Sequence, residues 1–192
     1  MKKILFLFIF AFSIQLNAQV AASINWVTIE EAQEAIETQP KKIFIDLYTD
    51  WCGWCKKMDA TTFKDPNVVQ FMNQYYYAVK FNAEQKDTVN FNNFDFYNLN
   101  PGGKKGTHLF AYSLLDGQMS YPSYALLDEN MSRIHVIAGY KETAPLASVL
   151  LFFGTNQYQQ YHNYLVKQIQ QEMQKSQGQP TSPQNNNTPN KQ

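Results

Sequence analysis

Cysteine is almost absent: the 192 residues contain two, Cys52 and Cys55, three positions apart. A framework of several structural disulfides is therefore excluded, and a single cysteine pair cannot complete a structural zinc site. Histidine is equally sparse. His108, His135 and His162 are scattered without ligand spacing to the cysteines, read as surface or core residues, and none is expected to hold a metal. An excess of charge of one sign is missing too, with 16 basic and 16 acidic side chains. There is no basic cluster, and the doublet Lys104-Lys105 sits in a Gly-rich loop, so no nucleic-acid partner is expected. No internal repeat is present.

What is there begins with a targeting signal. Lys2 and Lys3 give a positive start, Ile4 to Ile14 is apolar apart from Ser13, and Leu16-Asn17-Ala18 offers a small residue for cleavage. That apolar run falls far short of the roughly 20 residues that span a bilayer, and no cysteine at the cleavage point offers a thiol for lipid attachment. Residues 1–18 are thus expected to be removed as a signal peptide, leaving a soluble periplasmic or secreted protein that starts near Gln19 and does not insert in the membrane. Removing Lys2 and Lys3 from 16 basic side chains leaves 14 against 16 acidic ones, a net charge of −2. The remaining length suits one domain, residues 19–175, with a sizeable core.

Along that domain the pattern alternates. Asn25 to Val27 reads as a short strand, and Thr28 with Glu31 makes a capping box for a helix through about Thr38, stopped by Pro40. Lys42 to Tyr48 is β-rich and mostly apolar, as a buried central strand should be. A helix follows from the cysteine motif to about Thr61, and Asp65-Pro66 restarts another as cap and first residue. Tyr76 to Asn82 is the next strand. Such a β-α-β-α-β order implies parallel strands with helices on both faces.

Residues 83–118 interrupt the pattern with Phe91, Phe94, Phe96, Tyr97 and the turn Pro101-Gly102-Gly103, after which Thr107 is expected to cap a short helix to about Leu115. Packing of those aromatics onto the domain is expected. Pro122 to Leu127 and Ile134 to Ala138 then read as an antiparallel hairpin joined at Asp128-Glu129-Asn130. Thr143 and Pro145 open a helix ended by Gly154. A further helix from about Asn156 to Lys175 sets Tyr158, Tyr161, Leu165, Ile169 and Met173 on one stripe, expected to be core. From Ser176 to Gln192 the Gln-, Asn- and Pro-rich composition is expected to be disordered.

The chemistry-bearing motif is Trp51-Cys52-Gly53-Trp54-Cys55-Lys56, between a buried strand and a helix. A strand-to-helix junction aims free backbone N–H groups and the positive end of the helix dipole at Cys52, favouring its thiolate, which is the nucleophile. Cys55, one turn further in, can reach back and resolve, and is expected to be the more shielded of the two. A pair this close encloses too small a loop to serve as a staple, so it reads as chemistry. Lys56 and Lys57, beyond Cys55, are expected to point away along the helix.

Here the chain resembles the thioredoxin family, and in particular its exported branch with the signature Trp-Cys-x-x-Cys-Lys-x-Met, ending at Met58. The run Asp46-Leu47-Tyr48-Thr49-Asp50-Trp51-Cys52 is similar to the periplasmic domains of membrane disulfide reductases. The resemblance covers about residues 25–153 apart from the 83–118 insertion. It implies a thioredoxin fold, an α/β domain with a mixed central sheet and helices on both faces, to which this chain adds the insertion before the expected cis-proline and an extra C-terminal helix. It also implies roles. Asp46, six residues before Cys52, matches the buried acid that relays a proton to the resolving thiol, here Cys55, and Lys80 matches the lysine beside it. Pro122 matches the cis-proline facing the cysteines, which would leave the Tyr121 backbone free to pair with a substrate strand. Gly139 matches the glycine after the last strand. Each has a plainer reading: Asp46 as a solvated strand-end acid, Lys80 as a solvated lysine, Gly139 as a turn residue, Pro122 as trans. Gly53-Trp54 departs from the Gly-Pro of thioredoxin, and Tyr121 is larger than its counterpart.

The function these features imply is thiol–disulfide exchange without a bound cofactor, with Cys52 and Cys55 as the redox pair and Asp46 and Lys80 assisting. Trp51, Gly53, Trp54, Tyr121, Pro122 and Gly139 are the candidate substrate-binding residues. Protein disulfides are the expected substrates, a redox partner protein recharges the pair, and the match at Asp46 implies the reducing direction. Two other readings stand beside it. Soft thiolates at Cys52 and Cys55 could carry Cu(I), or the domain could be a non-catalytic interaction module using the insertion and last helix.

Overall fold

Alternation along one strand accounts for the two cores of this domain. In the computed structural model, which describes residues 23–103 and 106–177, the elements in chain order are β1 (Trp26–Val27), α1 (Ile29–Thr38), β2 (Lys42–Tyr48), α2 (Gly53–Ala60), a 3-10 turn (Thr62–Lys64), α3 (Pro66–Tyr75), β3 (Tyr76–Asn82), β4 (Val89–Phe91), β5 (Phe94–Phe96), α4 (Leu109–Leu114), β6 (Ser123–Leu127), β7 (Arg133–Ala138), α5 (Thr143–Gly154) and α6 (Gln157–Gln177). The expected signal peptide lies outside the described residues, as do Lys104-Lys105 and the tail beyond Gln177. Ser176 and Gln177, placed in that tail from sequence, are still helical. No helix among the described residues is long and apolar enough to cross a membrane.

The main sheet has the order β1-β3-β2-β6-β7. β1 and β2 run parallel to β3, while β6 is antiparallel to β2 and β7 to β6. β2 is therefore the middle strand. Its residues from Lys42 to Leu47 are all buried, and successive side chains go to opposite faces. Phe44 joins Tyr76, Ala78, Tyr124 and Leu126 beneath α2, α3 and α5, through Met58, Val68, Met72, Leu146 and Leu150. Ile43, Ile45 and Leu47 join Val79, Phe81, Ala125 and Leu127 on the other face, covered by Ile29 and Ala32 of α1 and Phe110 and Leu114 of α4.

Local signals set the helix starts. Thr28 and Glu31 close the capping box at 3.1 and 2.7 Å, and Asp65 caps α3 with Pro66 as its first residue. Gly154 is the last residue of α5, and a Cβ there would come within 2.8 Å of Tyr75, so the glycine allows α5 to approach α3. Lys42 is buried at the lower edge, where its ammonium reaches Glu129 and Asn156, each at 2.6 Å.

Segment 83–118 carries structure of its own. β4 and β5 form a hairpin across Asn92-Asn93, both at positive φ (52° and 65°), which asparagine tolerates better than most residues. Gln33 of α1 pins it by donating to Asn90 O and accepting from Asn92 N. α4 is capped by His108 and not by Thr107. The fully buried imidazole accepts from Phe110 N through Nδ1 at 3.2 Å, which leaves Nε2 to donate to Asp87 O at 3.0 Å. That arrangement needs the neutral ring, and burial pushes its pKa down. The Asn92-Asn93 turn had no warning glycine, and His108 is an uncommon cap, so neither stood out in the sequence.

The expectation for α6 also fails. The stripe on α6 is not core, because only Tyr158 packs on the domain, while Tyr161, Leu165, Ile169 and Met173 are exposed. A periodic stripe shows that a helix is amphipathic; it does not show that a partner surface lies within the same domain.

Phe110 ties the insertion to the sheet, with its ring 5.1 Å from Phe81 and Phe91 and 5.4 Å from Phe96. We expect Phe110→Ala to cost about 3–5 kcal/mol, the range for truncating a buried phenylalanine, in urea unfolding of the full domain. A loss below about 1 kcal/mol, too small for a buried cavity, would show that the insertion is only loosely attached.

Candidate active site

The cysteine pair sits where β2 gives way to α2. Cys52 is the N-cap, with extended backbone, and Cys55 lies in the first turn. The two are joined as a disulfide with Cα atoms 5.3 Å apart. Cys52 N–H donates to Thr49 O at 3.1 Å, and Cys55 N–H donates to Cys52 Sγ at 3.1 Å. The sulfur of Cys52 thus already occupies the place where a helix start stabilises negative charge. In this oxidised form both residues are buried, Cys52 at 4% and Cys55 at 3% exposure, so the expected contrast in shielding is not seen. Position on the helix separates them.

Asp46 shares its sheet face with Phe44, the face that α2 covers. Its Oδ2 accepts from Lys80 Nζ at 3.1 Å, and its Oδ1 is buried without a hydrogen-bond partner among the described residues. Lys80, directly opposite on β3, also donates to Asp59 of α2. The three form a ladder from the buried carboxyl to Asp59, which is partly exposed at the surface. Burial pushes the Asp46 pKa from 3.8 to about 6, and the Lys80 charge offsets only part of that rise. Burial by itself would lower the Lys80 pKa, but the facing carboxylates outweigh it and hold the ammonium above its ordinary value. Tyr124, the register partner of Asp46 on β6, has a second buried oxygen without a partner among the described residues. Burial and the Asp46 charge keep that hydroxyl neutral.

The rim of the site is aromatic. Trp51 and Trp54 flank the cysteines at 63% and 56% exposure. Trp51 meets the edge of Tyr121, centroids 5.9 Å apart, and donates from Nε1 to both Glu84 oxygens at 3.1 Å. Trp54 packs on Tyr140 at 5.2 Å. Lys57 does not point away along the helix; its Nζ lies 4.9 Å from the centroids of both Trp54 and Tyr140. Burial and then the Glu84 charge push the Tyr121 hydroxyl up to about 12. The Tyr121-Pro122 bond is cis, and Gly139 N–H donates to Pro122 O at 2.8 Å. Gly139 has φ 79° with open space around it, so its conformation is what requires glycine. A Cβ on Gly53 would meet nothing.

All ten candidate residues therefore gather at one end of the sheet. Sequence reasoning missed three of their neighbours. Asp59 lies one helical turn beyond Cys55 and looked like any exposed helix acid. Glu84 and Tyr140 each lie two residues beyond a strand end, and nothing in their spacing points to Trp51 or Trp54.

Comparison with known proteins gives the family and the fold. The Thioredox_DsbH family model, described as "Protein of unknown function, DUF255", matches residues 8–118, more than half of the chain. Thiol:disulfide interchange protein DsbD of Escherichia coli (strain K12) is 37% identical over 62 residues, which is 30% of this chain and 11% of that protein. The protein of the same name from Citrobacter koseri is 40% identical over 58 residues, 28% of this chain and 10% of that one. The chain thus spans about a tenth of the length of these relatives. A solved structure described as "DsbH Oxidoreductase" superposes with a TM-score of 0.50 at 18% identity, covering 71% of this chain and 88% of that one. At that identity the likeness establishes the thioredoxin fold.

The raised Asp46 pKa makes stability depend on pH. Between pH 3.8 and about 6 the folded chain holds a proton that the unfolded chain has lost, so stability falls as pH rises through this window. Above it both states are ionised, and the full cost of about 3 kcal/mol remains. Asp46→Asn removes that cost and leaves Lys80 paired with Asp59. We expect the oxidised variant to be more stable than the parent at pH 7 by about 1–3 kcal/mol, with the gain vanishing toward pH 4. Urea unfolding at both pH values measures this, and a variant less stable than the parent at pH 7 would contradict it.

Proposed function

This chain belongs to the Thioredox_DsbH family, and we propose that it is a thiol–disulfide oxidoreductase that reduces protein disulfides outside the cytoplasm through Cys52 and Cys55. The observation that carries the reading is the disulfide at the head of α2 together with a buried acid of raised pKa on the sheet face that α2 covers. Nothing in this chemistry requires a cofactor. The reduced pair is the donor, and two electrons pass to the substrate disulfide.

We infer the following cycle, in which Asp46 and Cys55 take the roles that the family resemblance implies. Cys52 thiolate attacks one sulfur of the substrate disulfide; a mixed disulfide forms and one substrate thiolate leaves. Asp46 then takes the proton of the Cys55 thiol, a task suited to a carboxylate whose pKa of about 6 lies near neutral pH. Cys55 attacks Cys52 Sγ, the second substrate thiol departs, and the Cys52–Cys55 disulfide remains. Lys80 steadies the ionised Asp46, and Asp59 links that pair to solvent. A redox partner protein supplies the electrons that restore the dithiol. During attack the substrate lies along Tyr121, whose backbone makes no hydrogen bond among the described residues and is free to pair with an extended peptide. Pro122, Gly139, Trp51, Gly53 and Trp54 line its path.

Assigning attack to Cys52 and resolution to Cys55 has a direct consequence. Cys55→Ser, expressed in the compartment where the protein acts, should accumulate mixed disulfides that a thiol reductant releases. Cys52→Ser should not. Equal trapping by both variants on non-reducing gels would overturn the assignment.

A further inference from the structure

The rim around the disulfide is charged oppositely at its two ends. The sheet order β3-β2-β6-β7 sets this up, because β2 and β3 end, β6 begins and β7 ends at the same edge. Along that edge come Glu84 after β3, Trp51 and Cys52 after β2, Tyr121 and Pro122 before β6, and Gly139 and Tyr140 after β7. Glu84 stands at one end, bound to Trp51. Asp50 adds a second acid there, held by Asn82 at 3.1 Å. Lys57 stands at the other end over Trp54 and Tyr140. Lys141 adds a second cation, its Nζ bonded to Ala138 O at 2.7 Å. Glu142, the next acid along, heads α5, where the helix dipole offsets its charge.

Neither end is left loose. Glu84 N–H donates to Asn82 Oδ1, and Glu84 O accepts from the buried Asn98, whose amide also holds Gln85 and Gly106. Segment 83–118 thus fixes an acid beside the residue that precedes the nucleophile. At the far end the Lys57 ammonium is kept in place by two aromatic faces. Each Trp–Tyr pair thus carries a charged group held against it, Glu84 on Trp51 and Lys57 on Trp54 and Tyr140.

We propose that this site selects extended cysteine peptides by the order of their charges, favouring those with a cation on one side of the cysteine and an anion on the other. The inference rests on the exchange reading above and adds the chemical class of the substrate. A peptide lying across the rim in the productive direction sets its cation against Glu84 and Asp50 and its anion against Lys57 and Lys141. The same residues in reverse order meet like charge at both ends.

The test uses the reduced full-length protein and homodimeric disulfides of two short peptides. One has lysine before and glutamate after a single central cysteine, and the other has them exchanged. Each reaction is balanced without an added reductant: the protein dithiol becomes the Cys52–Cys55 disulfide and one peptide disulfide becomes two peptide thiols. Stopped-flow tryptophan fluorescence gives the two second-order rate constants, and their ratio is the readout. We expect a ratio of about five or more at low ionic strength, falling toward one in high salt as rim charges are screened. Exchanging the charges at the rim, with Glu84→Lys and Lys57→Glu together, should invert the preference. Equal rates for the two peptides, or an unchanged preference in the double variant, would overturn the inference and leave the exchange reading standing. Failure to reduce either peptide would overturn both.

Discussion

A carboxylate in the middle strand of a sheet is costly, and the active end of this domain is organised around that cost. Asp46 is buried on β2, and burial outweighs the attraction of Lys80, so its pKa rises to about 6. A purely structural acid at such a position would be easier to replace than to keep. Here the ladder Asp46, Lys80, Asp59 joins the middle strand to the helix that begins at the disulfide. The acid, the lysine and the helix each make sense only in relation to the others.

The second organising feature is segment 83–118, which contributes in two places. Phe110 and its aromatic neighbours close the sheet face opposite α2, so the segment is part of the core. Its first residues carry Glu84 to Trp51, so it also shapes the rim next to Cys52. The matched family range runs through this segment. Packing on one face and charge placement at the edge are thus tied together by the same stretch of chain.

Much of this was legible in the sequence. The bounds of β2 followed from the β-rich, mostly apolar run Lys42 to Tyr48 between Pro40 and the cysteine motif, and the starts of α1 and α3 from local caps. Those are short-range effects, written in adjacent residues. The pairing of Asp46 with Lys80 was accessible only through family resemblance, because it depends on two strands meeting in register. Asp59, Glu84 and Tyr140 were not legible at all. Their partners lie across the fold, and nothing local marks them. The α6 stripe misled because amphipathicity describes the helix alone and does not say which surface covers it.

The electrostatics around Cys52 bear on the direction of electron flow. A strong oxidant needs a heavily stabilised thiolate at the attacking cysteine. Here the helix start favours the thiolate, but Asp46, Asp50 and Glu84 lie near that end of the site, and the cation Lys57 is engaged with Trp54 and Tyr140. A weakly stabilised thiolate makes the disulfide comparatively stable and the dithiol a good donor. The reduction potential of the Cys52–Cys55 pair, measured by equilibration with glutathione buffers at pH 7, tests this most directly. We expect a value nearer the roughly −270 mV of thioredoxin than the roughly −120 mV of a strong disulfide oxidant, and a potential above about −150 mV would overturn the reducing assignment.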